Sequence, residues 1–178
     1  LATGEKIAIK VQRPEARAQI ERDLAILSMG ARVLDVIPSV HLLALPGAVE
    51  RFGHALHNQL DFRLEAANNR RLAENFAGFK GVRVPDLHDE LCTERVLVME
   101  FIEGYKATET EKVQAGRKIR RRLAARGAEA ILKMVFRDGF VHADMHPGNI
   151  LLQEDGTLVF IDLGMVAEIA PELMSPWI

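Results

Sequence analysis

The rhythm of apolar and polar positions divides the chain into short alternating runs and long helical stripes. Lys6 to Val11 alternates as Lys-Ile-Ala-Ile-Lys-Val after a Thr3-Gly4 turn, which predicts a strand. Pro14 is placed to open a helix at its first position, where a missing N–H costs nothing. Ile20, Leu24, Leu27, Ala31 and Leu34 then fall at three- and four-residue steps, a stripe that Pro38 ends. A second long helix is predicted from about Gly47 to Phe76, with Phe52, Leu56, Leu60, Leu64, Ala67 and Leu72 facing a core. Val82 to Val84 and Val96 to Ile102 read as strands flanking a polar turn, and Gly104 closes the second. A third helix spans roughly Thr110 to Arg137, terminated by Asp138-Gly139.

The last pattern is the most informative. Ile150 to Leu152 and Leu158 to Ile161 are short apolar runs, and Glu154-Asp155-Gly156 between them is a hairpin turn signal. A hairpin returns the chain to its starting edge, so Asn149 and Asp162 must lie near each other at the open end. Asp144 sits five residues before Asn149, in a loop whose Pro147 and Gly148 cannot continue a helix. Two carboxylates and an amide oxygen therefore converge on one rigid support. Such hard oxygen ligands suit magnesium carrying phosphates.

Composition changes the picture only modestly. At 178 residues the chain suits one domain, or two small lobes sharing a cleft. Hydrophobic residues make up 48% and charged residues 27%, an ordinary globular balance, and a net charge of −2 argues against a dedicated nucleic-acid binder. A lone cysteine, Cys92, rules out an internal disulfide and fits a reducing, cytoplasmic setting. The longest uncharged apolar stretch, Val36 to Val49, has 14 residues and two prolines, too short for a span that needs about 20. Six basic residues crowd Arg117 to Arg126; this reads first as a solvated helix face, with attraction to anionic lipid as the alternative. The chain opens at Leu1 without methionine and stops 14 residues after Gly164, which reads as a fragment of a longer protein.

The order of the chemistry-bearing residues matches a kinase catalytic core. His142-Ala143-Asp144, four residues and then Asn149 read as a catalytic loop, and Asp162-Leu163-Gly164 reads as the metal-binding tripeptide. In that arrangement Asp144 orients or deprotonates the attacking hydroxyl, while Asn149 and Asp162 hold magnesium on ATP phosphates. Lys10, on the first strand, grips the α- and β-phosphates, with Glu65 as its best helix partner ahead of Glu50 and Glu74. His142 and His146 also allow a His-x-Asp-x-His transition-metal reading, but no further ligand cluster supports it. His142 more naturally braces the loop through backbone hydrogen bonds.

With those residues in hand, the chain resembles the UbiB (AarF-like) family of atypical, protein-kinase-like proteins over most of its length. Ala8 to Pro14 resembles the family's lysine strand, and Leu60 to Asn68 its helix with the ion-pairing glutamate at Glu65. Val98 to Gly104 is similar to the strand and hinge over which adenine lies, placing Glu100 and Ile102 at the nucleotide; Asp138 to Asn149 resembles the catalytic loop. The resemblance implies an α+β, two-lobed kinase-like fold truncated at both ends. Residues 1–104 form a partial N-lobe with inserted helices and the hinge, and 105–178 a partial C-lobe. It further implies ATP and magnesium as cofactors and a role in ubiquinone or related prenyl-quinone metabolism. A quinone-precursor or lipid ligand and a membrane surface would be met through the parent protein. The family's Glu-x-Asp reads Gln59-Leu60-Asp61 here, its Asp-Phe-Gly reads Asp162-Leu163-Gly164, and its Lys-x-Gly-Gln segment is not in the chain. An aminoglycoside- or choline-kinase-like phosphotransferase and a pseudokinase module without turnover are the alternatives.

Overall fold

The computed structural model describes residues 4–37, 43–109 and 117–174, with 117–119 described by backbone alone. Strand β1 (Ile7–Val11) pairs antiparallel with β3 (Val96–Glu100), setting Lys10 opposite Leu97. Alternation along β1 turns Ala8 and Lys10 inward and leaves Ile9 and Val11 exposed. A lysine on the inner side beside apolar residues on the outer one needs a charged partner within.

Between β1 and its helix partner lies an excursion of two helices, α1 (Ala16–Asp35) and α2 (Leu45–Gln59), which pack on each other. Pro14 precedes α1 in a turn rather than occupying its first position. Leu24 reaches within 3.3 Å of where a Cβ on Gly53 would lie, and Ala31 is buried, but Leu27 and Leu34 of the expected stripe are exposed. Pro38, expected to end α1, lies outside the described residues. At the base of the excursion the Gln12 side-chain amide donates to the Leu60 carbonyl at 2.8 Å.

The single helix expected over Gly47–Phe76 is two. The chain breaks at Leu60-Asp61, where Asp61 adopts an extended backbone and its Oδ1 accepts the Arg63 N–H at 3.0 Å, capping α3 (Phe62–Asn75). A short carboxylate competes well for backbone donors, and so serves a helix start better than its interior. The break resets the helical phase. Phe62, Glu65, Ala66, Asn69 and Leu72 face inward, while Leu64 is exposed.

Val82 to Val84 yields only β2 (Val82–Arg83), and β3 ends at Glu100 rather than Ile102; the two do not pair with each other. β2 instead runs parallel to β7 (Leu158–Phe160) in a four-stranded sheet ordered β2-β7-β6-β4, with β4 (Tyr105–Lys106) and β6 (Ile150–Leu152). Gly104 leads into β4 so close to β6 that a Cβ there would lie 2.8 Å from the Leu152 carbonyl oxygen. The third helix is described from Arg117 as α4 (Arg117–Lys133), its expected start at Thr110 lying outside the described residues. It ends in a π-helical turn, Met134–Asp138, which Lys133 closes by donating to both Asp138 oxygens at 2.7 and 2.6 Å. Gly139 then takes φ +59°, the left-handed conformation that stops the helix. Strand β5 (Phe140–His142) pairs with β8 (Val166–Glu168), and the short α5 (Pro171–Met174) follows.

Two apolar clusters result. One joins Phe62 and Ala66 to Leu97 and Met99; the other gathers Leu72, Phe76, Met134, Phe140, Phe160 and Leu163. Helix α3 contributes to both, and its central turn, Glu65 to Asn69, lies at their seam.

Candidate active site

The expected hairpin forms with Ile150 opposite Phe160 and Leu152 opposite Leu158, closed by Gly156 at φ +83° and by Asp155 accepting from Thr157. At its open end the Ile161 N–H donates to the Asn149 carbonyl at 3.0 Å. Asn149 and Asp162 therefore flank the last paired residues, as the turn signal required.

Lys10 lies between two carboxylates. Its ammonium donates to both Glu65 oxygens at 2.9 Å and to Asp162 Oδ2 at 3.1 Å. Glu65 is only 4% exposed, whereas about a third of the Lys10 side chain and 42% of Asp162 meet solvent. Burial is the largest influence on Lys10 and pulls its pKa down, but Glu65 and Asp162 outweigh it and hold the ammonium above the usual lysine value. Burial pushes the Glu65 carboxyl up, against the pull of Lys10. Asp162 Oδ1 accepts the Gly164 N–H at 3.1 Å, so protein donors engage both its oxygens.

The catalytic-loop segment is tied to itself. Asn149 Nδ2 donates to the Asp144 carbonyl at 3.1 Å and to Asp144 Oδ2 at 3.0 Å. Both partners are acceptors, which fixes the amide nitrogen on that side and turns Asn149 Oδ1 away. An amide oxygen and the Asp162 carboxylate fit a hard cation such as magnesium. His142 is 2% exposed, and its Nδ1 accepts the Asp144 N–H at 3.2 Å. His146 Nδ1 accepts the Gly148 N–H at 3.0 Å in the turn that follows. Each histidine thus serves the backbone, and among the described residues no three His, Cys, Asp or Glu side chains gather as a metal-ligand cluster.

Burial lowers the His142 pKa below its usual 6.5, with Asp162 and Asp144 pushing partly back. Protonating Nδ1 would set one N–H against another. A folded pKa below the unfolded one means stability present above about pH 6.5 and lost as pH falls toward the folded value, because the unfolded chain binds the proton more readily. Stability to urea should therefore fall from pH 7 to pH 5, and His142→Gln should flatten that slope. Equal slopes in both proteins would dismiss His142 as its source.

The residues expected at a hinge lie beside this cluster. Glu100 ends β3 and is held by Arg83 at 2.6 Å, while Ile102 is buried. With Ala8, Lys10, Met99, Leu151 and Ile161 they line a cavity of about 230 Å³. A larger cavity of about 420 Å³, between α4 and the hairpin, has Arg120 as its only charged lining residue among the described residues. The structure thus brings Lys10, Glu65 and Asp162 together, joins Asp144 to Asn149, and sets Glu100 and Ile102 at the cavity that Lys10 closes. The sequence reading missed Asn68, whose Nδ2 donates to the Leu163 carbonyl at 2.9 Å. Its spacing of three from Glu65 placed both on one helical face.

The chain is similar to known proteins over nearly its whole length. "Probable protein kinase UbiB" of Pseudomonas fluorescens strain Pf0-1 is 37% identical over 97% of the chain. "Protein ACTIVITY OF BC1 COMPLEX KINASE 1, chloroplastic" of Arabidopsis thaliana is 37% identical over 96%. The chain spans only 33% and 25% of those two proteins. The solved Rv3197–erythromycin complex from Mycobacterium tuberculosis superposes with a TM-score of 0.77 at 28% identity, over 94% of this chain and 42% of that one. Among the described residues no helix is long and apolar enough to cross a membrane. Over residues 1–176 the chain matches the family model of the ABC1 atypical kinase-like domain, with the kinase-like fold its lysine strand and catalytic hairpin led one to expect, and it belongs to that family.

Proposed function

We propose that the chain binds ATP with magnesium and forms the nucleotide site of a UbiB-type atypical kinase or ATPase acting in prenyl-quinone metabolism. The observation that carries this reading is the Lys10 ammonium held between Glu65 and Asp162 on a residue that also lines a mostly apolar cavity. Adenine would be held by the cavity that Ala8, Leu151 and the Glu100-to-Ile102 segment line, and Lys10, backed by the buried Glu65, would bind the phosphates. Asp162 and the Asn149 amide oxygen hold magnesium, which when bound neutralises phosphate oxygens and fixes them for in-line transfer. Asp144, steadied by the Asn149 amide, accepts the proton of the attacking hydroxyl or water. A bond forms from that oxygen to the γ-phosphorus, and ADP leaves with the electron pair of the broken bond.

The quinone assignment rests on the resemblance to the UbiB family alone, and a prenylated or lipid ligand and a membrane surface belong to the same proposal. Titration calorimetry of the intact protein with ATP, with and without magnesium, tests the nucleotide site. Metal-dependent binding is expected; its absence in folded protein would overturn the reading.

A further inference from the structure

We propose that Asn68 is a positioning residue for the Asp162 carboxylate, acting through a single peptide plane; as a statement about metal binding this rests on the function proposed above. The Leu163 carbonyl and the Gly164 N–H belong to one planar peptide unit. Asn68 Nδ2 donates to that carbonyl at 2.9 Å, and Asp162 Oδ1 accepts that N–H at 3.1 Å. The plane is therefore held at one edge by helix α3 and at the other by the carboxylate. Rotating it would break both bonds together and release Asp162 to turn about its own side-chain torsions.

The same helix face comes close to this peptide a second time: a Cβ on Gly164 would lie 3.5 Å from Glu65 Oε2. Residues 65 and 68 are one helical step apart, so Asn68 and Glu65 meet the Leu163-Gly164 segment from a single face of α3. Leu163 itself is 2% exposed and packs in the cluster with Leu72, one turn further along α3. The helix that anchors Lys10 thereby also sets the direction of Asp162, and the two ligand-bearing groups keep their spacing as one body. Asn68 touches neither nucleotide nor metal in this arrangement.

The test uses the intact protein with Asn68→Asp, which keeps the shape but replaces the donor by an acceptor that faces the Leu163 carbonyl, and Asn68→Gln, which keeps a donor. Removing one such hydrogen bond should weaken the magnesium half-saturation of ATP binding about tenfold. Nucleotide affinity in EDTA, which rests on Lys10 and the apolar cavity, should stay within about twofold, and Asn68→Gln should recover part of the loss. A parallel fall in both affinities would mark a merely structural role and overturn the proposal. The amide exchange rate of Gly164, measured with no ligand, reports on the peptide plane independently of the nucleotide. Exchange about tenfold faster in Asn68→Asp supports the proposal, and an unchanged rate rejects it. If the wild-type protein binds no nucleotide, the functional reading fails while Gly164 exchange still decides whether Asn68 holds the plane.

Discussion

Asp162→Asn is expected to abolish the magnesium dependence of ATP binding, weakening affinity in saturating magnesium by about a hundredfold or more. Loss of a partner that merely supports a metal ligand costs about 10- to 100-fold, and Asp162 is proposed as a ligand itself. The substitution keeps the shape of the side chain and leaves an oxygen for the Gly164 N–H. It removes the charge that a divalent cation requires. It also frees Lys10, which now divides its donors between Glu65 and Asp162. Affinity for ATP in EDTA should therefore be retained or rise, so the loss is confined to the magnesium condition. Calorimetric titration with and without the metal reads both. Unchanged magnesium dependence would remove Asp162 from the metal site, and equal losses in both conditions would assign it to general stability.

Phe160→Ala should produce the largest stability loss, about 3–5 kcal/mol, the usual range for emptying a buried aromatic site. Phe160 is 1% exposed, with its ring 6.2 Å from that of Phe76 and 5.9 Å from the His142 imidazole. Strand β7, helix α3 and His142 meet around that ring, and its neighbours are already packed against one another, so they can close the space only in part. For a chain of this size the loss corresponds to a fall in Tm of roughly 10 °C. Thermal unfolding followed by circular dichroism measures it. A fall under about 2 °C would show that the cluster around Phe160 is not the cooperative core described above. Phe101, 47% exposed just after β3, is the matching control: Phe101→Ala should cost far less.

Much of the site was legible because its signals are local. The Asp155-Gly156 turn fixes the hairpin, and the hairpin fixes the nearness of Asn149 and Asp162 whatever surrounds them. Lys10 and Glu65 were legible only through their family motifs, since 55 residues separate them and periodicity carries no information across that distance. The break at Asp61 escaped because apolar steps continue through Leu60 and Leu64, and a periodicity count cannot detect one residue in an extended conformation. Strands β4, β5 and β8 have two or three residues each, too few for alternation to register. The parallel pairing of β2 with β7 joins segments more than 70 residues apart and is decided by packing alone. Asn68 went unread because an amide on a helix is ordinarily a solvated residue, and its partner is a backbone carbonyl that no side-chain pattern encodes.

The hydrogen bond from Gln12 to Leu60 has a meaning for the history of the chain. It joins two points 48 positions apart at the root of the excursion, and the Arg17–Glu94 ion pair at 2.9 Å ties α1 back to the fold beside it. An unstructured loop of that length would cost roughly 2 kcal/mol more to close than one of about six residues, since each doubling adds about 0.6 kcal/mol. Packing α1 on α2 lets the excursion bring its own ends together, so the closure entropy does not fall on the Lys10–Glu65 pair. In polymer terms the excursion is a side branch with a stapled root. Its length and surface can drift by insertion, deletion and substitution while the distance between lysine and glutamate stays fixed, so new recognition surfaces can evolve there without disturbing the chemistry.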